Sequence, residues 1–161
     1  MLAVAVLLAL PAPAWSAARD AVSAASFADA AAACRRVGND DRVRPYTPSF
    51  RPAFNKSFAD DGRLPNAATL KTGVVRCMGG RLFGCIIGAN QPCDRMNVAR
   101  RNAGADSFCR DNPDATVVPL AASGHDSLYD YACAGSHAVV TRTQYRVDAR
   151  GFAVGLWRPL D

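Results

Sequence analysis

The residues of this chain that could do chemistry are six cysteines, two histidines and a set of carboxylates supplied entirely by aspartate. The cysteines are Cys34, Cys77, Cys85, Cys93, Cys109 and Cys133. No Cys-x-x-Cys occurs, which disfavours a thioredoxin-like dithiol. An even number of cysteines in an exported chain reads instead as a disulfide framework, so all of these residues are disulfide candidates. Their spacing alone would allow a zinc site, but bridges compete with it in an oxidising compartment, and no metal or other cofactor is expected. His125 stands in Gly124-His125-Asp126, with Ser127 beside it. Proximity in one loop does not make a triad, whose members converge from different segments with aligned hydrogen bonds, and no nucleophile-elbow glycine pattern is present. A cysteine left unpaired could be activated as a thiolate by His125 or His137, against which the even count argues. Asp40-Asp41 and Asp60-Asp61 are adjacent pairs whose carboxyl groups point apart, as expected of groups that cap or solvate loops. The lack of any Glu removes the usual general acid of wall-cleaving glycosidases.

The compartment follows from the N-terminus. Met1 to Leu10 is wholly apolar, and Pro11 and a series of small residues follow, the form of a secretory signal; small residues fit cleavage after Ala14, Ser16 or Ala18, of which Ala18 is favoured, giving a signal at residues 1–18. No Lys or Arg precedes the run, so either the free amino terminus supplies the positive charge or the start lies a few residues upstream. Pro11 and Pro13 would break a buried helix here. The run is too short to span a bilayer, and no second stretch approaches the roughly 20 residues of a membrane helix. Residues 19–25 read as a flexible N-terminus and 26–161 as one disulfide-stabilised domain, large enough for its own core. The expected localisation is periplasmic or secreted.

Nineteen basic residues face 14 acidic ones, a net charge of +5, and the bases are nearly all Arg. They are scattered rather than clustered with aromatics, so nucleic acid is not an expected partner. The same bias in an exported protein suits an anionic glycan or lipid surface, and another envelope or extracellular protein is the other partner expected.

The elements that must position these groups read as α+β. Ser26 to Arg36 is a short helix, capped by Ser26, with Asp29 at the third position and a stop at Gly38. Pro45, Pro48 and Pro52 make the stretch from Asn39 to Pro52 an ordered coil. A short helix from Pro52 puts Phe54 and Phe58 on the core, and Asp60 to Ala68 reads as a surface loop. Val74 to Ile87 is a hairpin turning at Gly79-Gly80. With a two-residue loop, Cys77 faces Leu82 and Cys85 faces Val74, which places the two sulfurs on opposite faces and excludes a bridge between them. A helix lies between Cys93 and Cys109, interrupted near Gly104, and a Cys93–Cys109 staple is the pairing expected there. Ala115 to Pro119 suits an edge strand. A second hairpin runs from Leu128 through Ala134-Gly135-Ser136 to Val147, and a turn at Asp148 to Gly151 leads to Phe152 to Trp157. The expected architecture is a small antiparallel sheet of about 5–6 strands with N-terminal helices and one inserted helix.

Several segments together carry a resemblance: ACRRVG at 33–38, VRCMGGRLFGC at 75–85, GANQPC at 88–93, CRDNPDA at 109–115, SGHDSLYDYAC at 123–133, and VDARGF followed by Leu156-Trp157. The chain resembles a family of small exported cysteine-rich proteobacterial proteins. Their pattern is Cys-x-x-Val-Gly, an Arg-Cys hairpin, Gly-Ala-Asn-Leu-Pro-Cys, a Gly-His before the last Cys strand, and Val-Asp-x-x-Gly-Phe. Gln91 stands where that pattern has Leu, and Val75 where it has Trp. The resemblance spans nearly all of the mature chain and implies compartment and fold, without chemistry.

The function these features point to is a non-enzymatic exported binding or inhibitor module held by three disulfides, presenting a rigid, loop-rich surface. His125, Tyr129, Tyr131 and Trp157 are the candidate binding residues; an exposed aromatic set of Tyr46, Tyr129, Tyr131 and Trp157 would favour that reading. The alternatives are an envelope structural or stress protein without a dedicated ligand, and an enzyme dependent on a thiol or on His125.

Overall fold

The computed structural model describes residues 26–60, 62–88 and 91–161. The expected signal at 1–18 and the linker at 19–25 lie outside the described residues.

Helix α1 (Phe27–Val37) begins where Ser26 accepts a hydrogen bond from the Asp29 amide and donates one to its carboxylate, a reciprocal cap that satisfies otherwise orphaned donors. Gly38 ends it at φ 72°, a backbone region that glycine enters without strain. The helix buries Ala30, Ala33 and Cys34 along one face. Strand β1 (Asp40–Pro45) follows in the proline-rich stretch that reads from sequence as coil. It lies at the edge of the sheet, where its terminal Pro45 removes no central ladder bond. A 3₁₀ turn at Pro48–Phe50 leads into α2 (Arg51–Phe58), which buries Phe54, with Phe58 half-buried beside it. Asn66 caps the short helix α3 (Ala67–Lys71), which begins within the last residues of the loop expected at Asp60 to Ala68 and runs past it.

Strands β2 (Gly73–Met78) and β3 (Arg81–Ile86) form the expected hairpin in the expected register, Cys77 opposite Leu82 and Cys85 opposite Val74. Period-two alternation sends Val75 and Cys77 to one face and Val74 and Arg76 to the other. The first face packs under α1 and α2 with Phe50, Phe54, Leu82 and Leu160. The second holds Val74, Cys85, Cys93, Phe152 and Trp157.

The fold is α+β with antiparallel strands, but the six strands of the described residues divide into a four-stranded sheet, ordered β1-β2-β3-β6 with β6 at Arg158–Pro159, and a separate ribbon of β4 (Tyr129–Ala134) and β5 (His137–Thr143). β6 pairs with β3 at Phe83 and Gly84, and the ribbon pairs with no strand of that sheet. The ribbon packs instead on helix α4 (Ala103–Asp111), around Ala105, Cys109, Val118 and Tyr131. Helix α5 (Leu120–Ser123) lies against α4. The segment Ala115 to Pro119 is not a strand. It runs beside β4 with two backbone bonds, Val118 to Tyr131 and Cys133 to Ala115, before Pro119 starts α5.

Three disulfides join Cys34 to Cys77, Cys85 to Cys93 and Cys109 to Cys133. The expected Cys93–Cys109 staple is not formed. Cys93 folds back onto the sheet face that carries Cys85, while Cys109 faces the ribbon from α4. No helix of the described residues is long and apolar enough to cross a membrane.

Candidate functional site

Arg76 points from β2 into the second sheet face and is fully buried. Its guanidinium carbon lies 3.5 Å from the centroid of the Phe152 ring and 4.7 Å from that of Trp157. Its charge is balanced by Asp148 at 3.2 Å and Asp41 at 3.7 Å. Asp148 heads the turn predicted at 148–151. Its carboxylate accepts the amides of Arg150 and Phe152, and Gly151 takes φ 85°. Asp41 also binds Arg95 and Arg150. The bonded Arg150 guanidinium holds Asp41 below the usual carboxylate range, with Arg95 adding to the effect and partial burial opposing it. For Asp148, burial works to raise the pKa, but the two backbone amides and Arg76 together bring it below its ordinary value. Burial pulls Arg76 down from its own range, against the pull of Asp148 and Asp41. Neighbouring Asp40 turns the other way, to a buried pair with Arg44 at 2.6 Å. The adjacent carboxylates thus serve separate arginines, and Asp40 also accepts the Arg42 amide as a local cap. With its cation enclosed by rings and anions, this cluster is a structural keystone that ties β2 to the C-terminal segment.

A cleft of about 500 Å³ opens where the four-stranded sheet meets the ribbon. Its volume falls in the range of small-ligand sites, about 300–1,000 Å³. One wall is the chain leaving β3, with Ile87, Gly88, Gln91, Pro92 and Asp94. The Cys85–Cys93 bridge closes this segment, and Gly88 and Gln91 exchange backbone hydrogen bonds within it. The facing wall carries Leu120 from the start of α5, His125 and Asp126 from the next turn, and Gln144 and Tyr145 just after β5. Backbone bonds stitch the walls together. The Asn97 amide donates to Asp126 and Leu128 donates back to Asn97, while Gln144 donates to Leu128 within the second wall. Met96, Leu128 and Ala153 pack beneath this seam. The Asn102 side chain donates to the Ser123 carbonyl at 2.6 Å and so holds the end of α5.

Among the sequence candidates, His125 lies in this cleft, exposed on a turn that starts at Gly124. Tyr129 and Tyr131 stand on β4 in edge-to-face contact, with ring centroids 6.5 Å apart. Tyr131 is buried and Tyr129 half-buried, with Arg100 over its ring. Trp157 is buried against Phe152 on the sheet side. Of these residues only Tyr129 and Tyr131 meet, and the burial of Tyr131 and Trp157 leaves no shared aromatic surface with Tyr46, which is half-buried against Phe54. Ser127 is buried and its hydroxyl is committed to the backbone of Tyr129. All six cysteines are in bridges, so the described residues offer no thiol to His125 or His137. Sequence reasoning missed Gln91, Asp94, Gln144 and Tyr145 as cleft residues. Only their convergence marks them, and no local pattern signals it.

Comparison with protein-family models, curated proteins and solved structures finds no match to this chain. What the coordinates define is an α+β protein held by three disulfides, a chemistry that persists outside the reducing cytoplasm, with a preformed cleft at the junction of its two sheets.

Proposed function

We propose that this is a non-enzymatic exported binding module, acting in the periplasm or after secretion, whose ligand occupies the cleft between sheet and ribbon. The observation that carries the reading is the construction of the walls. One is closed by the Cys85–Cys93 bridge, and the other is joined to it through the backbone bonds that Asn97 makes with Asp126 and Leu128. A site held this way gives up little conformational entropy when it binds, which favours affinity. The apolar signal-like run at the N-terminus and the resemblance to small exported cysteine-rich proteins support the compartment. The commitment of Ser127 and of every cysteine to structure speaks for binding over covalent catalysis.

The test is a fragment screen by ¹H–¹⁵N correlation spectroscopy on the mature, oxidised protein, using a mixed set of neutral, cationic and anionic small molecules. Saturable shifts gathered at Gly88, Asp94, Asp126 and Gln144 are expected. Binders that scatter over the surface, or none at all, would favour an envelope structural protein without a dedicated ligand.

A further inference from the structure

Resting on that reading, we infer that the cleft selects a cation: a primary ammonium or guanidinium carried on an apolar stem. The protein as a whole has a charge of +5, yet the cleft is lined by Asp94 and Asp126 and by no Lys or Arg. Local charge is therefore the reverse of the molecular average. The arginines of the described residues take up Asp40, Asp41, Asp130, Asp148 and Asp161 in ion pairs. Asp94 and Asp126 have no such partner among the described residues and are exposed where the cleft opens. A carboxylate without a counterion beside a partly dehydrated hollow attracts a cation more strongly than one in bulk water, because the apolar walls lower the effective dielectric.

The rest of the lining sets the shape of the ligand. Ile87, Pro92 and Leu120 present apolar surface that a hydrated metal ion would leave uncovered. An alkyl stem covers it and brings the charged head to the carboxylates. The buried Gln144 side-chain nitrogen, which has no hydrogen-bond partner among the described residues, adds a donor that suits a polar atom along the stem.

Hexylammonium, hexanol and hexanoate make an isosteric probe set that varies only the head group. In titrations of the mature, oxidised protein followed by ¹H–¹⁵N correlation spectra, hexylammonium should shift the amides of Gly88, Asp94, Asp126 and Gln144 saturably. Hexanol should bind more weakly and hexanoate weakest. Asp94→Asn and Asp126→Asn should each weaken hexylammonium by about 3- to 10-fold, as expected for loss of one charge-assisted contact. The double variant should bind hexylammonium and hexanol alike, its spectrum otherwise unchanged. Equal binding of hexanol and hexylammonium by the parent protein would overturn cation selection while leaving the cleft as a binding site. Absence of any hexylammonium shift at the cleft would also overturn it, and the fragment screen then decides separately whether the cleft binds at all.

Discussion

A guanidinium stripped of water is tolerated only where anions and π faces replace its hydration shell, and Arg76 meets both conditions with Asp148, Asp41, Phe152 and Trp157. Asp148 is the hinge of the arrangement, because one carboxylate binds the buried cation and the two amides that shape the C-terminal turn. Asp148→Asn should therefore cost roughly 1.5–3 kcal/mol at neutral pH, the range for hydrogen bonds to charged groups, read from denaturant unfolding. The folded pKa of Asp148 is depressed. Its stabilisation is thus fully present above the unfolded value of about 3.9 and disappears as pH falls through the lower folded value. The gap between parent and Asp148→Asn should close over that acid range. A gap independent of pH would mean that the carboxylate charge is not what stabilises the turn. Arg76 in the first hairpin, the Asp148–Gly151 turn and the Phe152–Trp157 segment were each legible as local elements. That these residues meet was not, because 72 positions separate Arg76 from Asp148 and no periodicity links them.

Elements whose making is local were readable from sequence. The cap at Ser26, the stop at Gly38 and the register of the β2–β3 hairpin all follow from residue type and period-two alternation, and each is found as expected. Elements that depend on a distant partner were not. β6 is only two residues long and exists because β3 offers it an edge, while Ala115 to Pro119 has strand-like composition but finds only two bonds along β4. Gly104 shows the difference at one position. In sequence it reads as a helix interruption; in the fold it belongs to the first turn of α4, where a Cβ would lie 2.1 Å from the Ala122 carbonyl oxygen. Its small size lets α4 and α5 approach each other. Gly104→Ala, normally favourable within a helix, should instead destabilise by about 1–3 kcal/mol through overpacking, with amide shifts centred on α5 and the Leu120 wall of the cleft. A gain in stability would show that the two helices have room to separate.

At the scale of the molecule, two bridges staple the sheet side, the third staples α4 to the ribbon, and the backbone seam of Asn97, Asp126 and Leu128 joins these parts into one frame. Each bridge stabilises by about 2–4 kcal/mol, comparable with the net stability of a small domain. Composition and cysteine count made this framework legible, but the pairings depend on which faces meet. Cys85 and Cys93 share a sheet face, and Cys109 of α4 meets Cys133 of the ribbon. The cleft was the least legible feature. Asp94, Asp126 and Gln144 come from three separate loops, and of its lining only His125 stood out beforehand as a binding candidate. The most direct test of the binding account is the dissociation constant of the strongest-binding fragment for the parent protein and for Leu120→Trp, whose indole fills the cleft from the first residue of α5. The account predicts binding weaker by about tenfold or more, ~1.4 kcal/mol, with amide shifts confined to the cleft walls. Unchanged affinity in a folded variant would place the ligand elsewhere and contradict the assignment of this cleft as the binding site.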